Sequence, residues 1–234
     1  SAYIGGAIAT NAGGSRAVKY GVMRDFVKGL EVVLPSGEML DLKGKLMKNC
    51  TGYSLLHLMV GSEGTLGIIT KAVILLIPPP KNVITLVIPY DSLHDAIKTV
   101  PKIILTGIRP IAIEFIPSDV IPFSEKLLGK NWPSKEGKAF LMIIVDGSTE
   151  DEVYGLSEEI ANICTANNAK DILVAESKGK QADILAIRSN LYEGLKPNLI
   201  EILDLTVPPS QIVAHVDRIY EISEEYGVWL PTYG

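Results

Sequence analysis

Three consecutive prolines, Pro78, Pro79 and Pro80, cut the sequence into two stretches of unlike texture. Proline has no backbone N–H and holds φ at about −65°, so three in a row withdraw three donors and stiffen the chain into an extended rod. A helix or central strand cannot run through such a segment. The chain is therefore read as two domains, residues 1–80 and residues 81–234. Its 234 residues suffice for two modest cores.

Before the prolines the pattern is glycine-rich with short strands. "FVKGLEVVLPSGEMLDL" (26–42) reads as a hairpin around a Pro-Ser-Gly turn. "SLLHLMV" (54–60) reads as a short helix and "TLGIITKAVILLI" (65–77) as extended strand. After the prolines, strands alternate with amphipathic helices. Strands are expected at 82–90, 111–116, 138–147, 171–175 and 200–208. A helix from Ser92 buries Leu93, Ala96, Ile97 and Val100. Thr149 and Glu152 fit a capping box ahead of a helix with Val153, Leu156, Ile160 and Ile163 inward. Helices are also expected over 178–192 and 210–226. This order implies an α+β layer, a sheet covered by helices on one face.

Composition narrows the function. A formal charge of −5 provides no basic field for nucleic acid. Cys50 and Cys164 form no C-x-x-C pair, so neither a disulfide framework nor a thiolate metal site is expected. His57, His94 and His215 show no ligand spacing, so no metal is assigned. No apolar run approaches the roughly 18 residues of a spanning helix. With no signal peptide in view, a soluble cytoplasmic protein is expected.

The glycines carry the functional signal. "GGAIATNAGG" (5–14) reads as a loop whose bare backbone either turns sharply or approaches a ligand. "GSEGTLG" (61–67) lacks the dinucleotide G-x-G-x-x-G spacing and precedes a strand rather than a helix, and no phosphate-binding G-x-x-x-x-G-K-[ST] motif occurs. Taken in order, "GGAIATNAGG", "KYGVMRDFVKGLEVVLPSGE" and "GYSLLHLMVGSEGTLGIITKAVILLIPPP" resemble the second half of the FAD-binding domain of FAD-linked oxidases of the vanillyl-alcohol-oxidase (PCMH) type. Within that family the chain is most similar to the branch of glycolate oxidase flavin subunits, D-lactate dehydrogenases and D-2-hydroxyglutarate dehydrogenases. Residues 81–234 resemble that branch's cap domain, with a largely antiparallel sheet covered by helices.

The resemblance implies FAD as cofactor and a small D-2-hydroxy acid, such as glycolate or D-lactate, as substrate. It implies flavin contacts at Gly6, Thr10, Asn11, Ala12 and Gly13, and again at Glu63, Gly64, Thr65, Leu66, Gly67, Ile68 and Ile69. Glycine-rich loops present N–H groups to a pyrophosphate with no side chain in the way. Arg188 in "AIRSNLYEGL" matches the family's carboxylate-binding arginine, although Ser189 stands where an acid usually follows; the rival reading is a solvated arginine on a helix. Asp204 in "LDLTVP" matches a strand near the active centre, its rival a polar strand end, and Glu114 matches a cap-strand acid of no assigned role. The family also implies a pyrophosphate loop before Ser1 and a His-x-Gly-Asp-Gly-Asn motif after Gly234, so these residues alone are expected not to turn over substrate. An electron acceptor (a cytochrome, quinone, electron-transfer flavoprotein or iron–sulfur subunit) is implied, and a homodimer stays open. A non-catalytic binding or assembly module is the alternative from a different class.

Overall fold

The computed structural model describes residues 3–42 and 44–234, which divide into two compact units, one ending at Pro79 and the other beginning at Pro80.

In the first unit the glycine-rich opening is not all loop. Ile4–Ala9 forms a helix, α1, with Gly5 and Gly6 in its first turn and Ile8 fully buried. The sequence expectation of a bare loop is thus corrected. Ala7 and Ala9 favour helix, and burying Ile8 outweighs the cost of about 1 kcal/mol that each helical glycine carries. Two single turns follow, α2 (Ala17–Tyr20) and α3 (Met23–Phe26). The hairpin forms as expected from β1 (Val27–Val33) and β2 (Met39–Leu42), paired antiparallel with Val33 opposite Met39. Its turn is closed by Gly37 N–H donating to the Leu34 carbonyl at 2.9 Å, with Gly37 at φ 86°. Ser54 caps α4 (Leu55–Met59), and β3 (Ile68–Ile74) pairs antiparallel with the other edge of β1. The three-stranded sheet has the order β2-β1-β3, and Ile8, Val27, Leu30, Val32, Met59 and Val60 form its core.

The second unit is built on a four-stranded antiparallel sheet, ordered β5-β6-β4-β7. Its strands are β4 (Asn82–Tyr90), β5 (Ala112–Pro117), β6 (Ala139–Gly147) and β7 (Leu173–Ala175). One face carries Leu86, Ile88, Leu141 and Ile143 against α5 (Leu93–Leu105) and α7 (Glu150–Thr165). The inward residues of both helices are those the periodicity indicates: Ala96, Ile97, Val153 and Ile160 are buried, and Leu93, Val100, Leu156 and Ile163 are partly so. Within α5, Pro101 withholds one helical donor.

Helices cover the second face too, which corrects the expected one-sided layer. Nearly every residue of β4 and β6 is buried, as in a strand packed on both sides. Arg188, on α8 (Lys178–Ser189), meets Glu114 of β5, whose partner in register is Met142. Also in this unit are α6 (Ile121–Leu128), α9 (Leu191–Leu195) and α10 (Ile212–Tyr226); α6 had no sequence expectation. Ser124 on α6 donates to the Ile187 carbonyl at 2.7 Å, tying α6 to α8.

One expected strand is missing. Residues 200–208 alternate as a strand should, yet they adopt no regular structure, and Ile200, Ile202, Leu203 and Leu205 are exposed. A strand exists only against a neighbour, and among the described residues none pairs with this segment.

Candidate functional site

The two glycine segments of the first unit lie side by side. Gly61 N–H donates to the Ile8 carbonyl at 3.0 Å, and Glu63 N–H to the Ala9 carbonyl at 2.8 Å. Asn11 turns the chain at the end of α1 with φ 50°, and its Oδ1 accepts the Arg24 amide at 2.9 Å. The Arg24 guanidinium donates in turn to the Val60 carbonyl at 3.1 Å. Arg24 therefore ties both segments together from α3. Sequence reading missed it because its partner lies 36 residues away and no local pattern records the contact.

Residues Ser62–Thr65 make a tight turn with two left-handed central residues, Glu63 at φ 53° and Gly64 at φ 76°. Gly67 is needed for packing: a β-carbon there would lie 2.6 Å from Val32 Cγ1.

Donor accounting separates the expected cofactor contacts. The amides of Thr10, Asn11, Ala12, Glu63 and Thr65 all donate to carbonyls within the unit. The Thr10 hydroxyl donates to the Gly6 carbonyl at 3.1 Å, so its proton is already engaged. By contrast, among the described residues the amides of Gly13 and Gly64 have no carbonyl partner, and both glycines are exposed. Exposed Leu66 and Ile68 follow the turn, and Ile68 and Ile69 pair with Val33 and Val32 in the sheet. Open amides together with exposed apolar side chains suit a ligand with both anionic and flat apolar parts. A separate cleft of about 640 Å³ lies over the same sheet, lined by Leu30, Glu31, Leu42 and Lys71 among others, and none of the expected cofactor residues faces it.

In the second unit Arg188 is not the solvated arginine of the rival reading. Its Nε donates to Glu114 Oε2 at 2.5 Å, and its Nη2 pairs with the same oxygen. Its guanidinium carbon lies 5.4 Å from the centre of the Tyr233 ring, within cation–π range. Glu114 is only 5% exposed. Burial pushes its carboxyl above the usual range, and the Arg188 charge pulls it partly back. Tyr233 is also pushed up by burial. Sequence reading named Glu114 and Arg188 separately, but their pairing across 74 residues leaves no local trace.

Asp204 stands elsewhere in the chemistry. It is exposed in the irregular segment 200–208, and among the described residues nothing pairs it with Arg188. The expectation that it sits on a strand is corrected for the reason already given: among the described residues no strand pairs with this segment.

Comparison with known proteins decides the family. Residues 79–234 match the family of FAD linked oxidases, C-terminal domain, and residues 1–43 match an FAD binding domain. The chain belongs to the FAD-linked oxidases. This FAD-linked oxidase chain is 43% identical to a D-lactate dehydrogenase of Archaeoglobus fulgidus, aligning over all of itself and 51% of that protein. It is 38% identical to the glycolate oxidase subunit GlcD of Bacillus subtilis, over 99% of itself and 49% of the relative. The chain thus spans about half the length of these curated relatives. Among solved structures, an alkyldihydroxyacetonephosphate synthase superposes with a TM-score of 0.58 at 23% identity, over 79% of this chain and 36% of the other. A p-cresol methylhydroxylase does so with 0.55 at 14%, over 71% and 40%. Those two likenesses establish the fold alone, an α+β architecture with antiparallel sheets. Among the described residues no helix is long and apolar enough to cross a membrane.

Proposed function

We propose that the chain supplies flavin-contacting loops and the substrate-side cap of an FAD-dependent oxidoreductase that converts a D-2-hydroxy acid, such as D-lactate or glycolate, to the 2-oxo acid. The observation that carries this reading is the convergence of the two glycine segments, with the Gly13 and Gly64 amides left open, in a chain of the FAD-linked oxidase family. When bound, FAD supplies the acceptor for the hydride leaving the substrate's C2. The protein's part is orientation. The Gly13 and Gly64 amides would hold anionic and polar groups of the cofactor, and exposed Leu66 and Ile68 would offer it apolar surface. Arg188 receives the substrate carboxylate, a task for which a planar guanidinium fork is well shaped.

The test uses the full-length protein purified with its flavin. The visible flavin absorption should bleach on anaerobic addition of D-lactate or glycolate. Arg188→Ala should raise KM by about tenfold or more, with a smaller change in kcat, because binding is lost in ground and transition states alike. Protein that takes up no FAD, or flavin that stays oxidised with every 2-hydroxy acid, overturns the reading.

A further inference from the structure

Glu114 is a costly residue where it stands. β5 buries alternate side chains, and Glu114 follows the same pattern as Ala112 and Ile116, so the sheet places a carboxylate where an aliphatic side chain would serve folding better. Among the described residues its compensation is Arg188 alone, and the pairing is lopsided. Both Nε and Nη2 converge on Oε2, while among the described residues Nη1 of Arg188 has no partner. Tyr233 lies against the guanidinium. One edge of the cation is therefore clamped, one face is supported, and a further nitrogen is left open. An arginine side chain otherwise has rotamer entropy to lose on engaging a ligand.

We propose that Glu114 is a positioning residue for Arg188, holding the guanidinium by its Nε edge so that the Nη1 side is pre-aimed at the substrate carboxylate. This rests on the reading of Arg188 given above. Glu114 touches neither substrate nor cofactor; it acts by sparing substrate binding the cost of ordering the arginine.

A double-mutant cycle on the full-length, flavin-loaded protein tests it, with D-lactate as the probe substrate. Glu114→Ala should raise KM by about tenfold with kcat within about threefold, and should add nothing further in an Arg188→Ala background. Glu114→Gln, which keeps a carbonyl acceptor for Nε, should lie closer to the parent in KM; it replaces Glu114→Ala in the cycle if that variant does not fold. An equal KM rise in both backgrounds, or none in the parent background, overturns the proposal. If Arg188→Ala itself leaves KM unchanged, the reading of Arg188 fails instead. NMR of the Arg188 Nε–H group gives a measure independent of turnover. That group should be rigid in the parent and mobile in Glu114→Ala; equal rigidity in both overturns the clamp whatever the substrate is.

Discussion

Cys164 and Cys50 carry the same thiol in opposite surroundings. Cys164 is buried against Tyr90 and the α7 core, and burial pushes its pKa up to about 11. The reactive thiolate is therefore scarce at Cys164 near neutrality, and reagent has no access. At pH 8 a thiol reagent should label Cys50 alone, with Cys164 reacting only on addition of denaturant; labelling of both in native protein would contradict the structure. Glu114 makes a second prediction through its raised pKa. An acid that holds its proton more tightly when folded stabilises the fold at low pH. That contribution is lost as pH rises from the ordinary 4.5 through the higher folded value, and is constant above it. Glu114→Gln stays neutral throughout, so its stability relative to the parent should improve as pH rises across that window. Thermal melts of both proteins from pH 4 to 8 would check the sign.

At the scale of elements, the local signals were legible and the long-range ones were not. Thr149 was read as a cap from its spacing to Glu152, and its Oγ1 does accept the Glu152 amide at 3.2 Å. The return bond goes one residue further back than in a standard capping box, from the Ser148 amide to Glu152 Oε2 at 2.6 Å. Thr149→Ala should cost about 1 kcal/mol, lowering the melting temperature by about 2–4 °C while leaving the fold intact by circular dichroism. Helices α5 and α7 followed from apolar periodicity because each buries one stripe. Helix α1 did not, because glycines in a first turn look like loop until Ile8 finds a core. Segment 200–208 failed in the opposite sense: its alternation is a strand's, but strand formation depends on a partner that no run of side chains encodes. The site divides the same way. The glycine motifs marked the converging segments, whereas the contacts that fix them, Arg24 to Val60 and Arg188 to Glu114, join residues far apart in sequence.

For the molecule as a whole, the two units have separate cores of unequal size. Among the described residues the first rests on six buried apolar residues around a three-stranded sheet, the second on a much larger set against four strands. Small cores leave small margins of stability. Residues 80–234 produced alone should unfold cooperatively on heating, whereas residues 1–79 alone should show no sharp transition; a cooperative melt for the shorter piece would refute this. The prolines at 78–80, with the division falling between Pro79 and Pro80, have a consequence for isotope labelling as well. A residue without an amide hydrogen takes up no backbone deuterium, so the bridge is silent in an exchange experiment. With no ladder donor passing through it, protection in β3 and in β4 should decay at unrelated rates, as though each sheet kept its own clock.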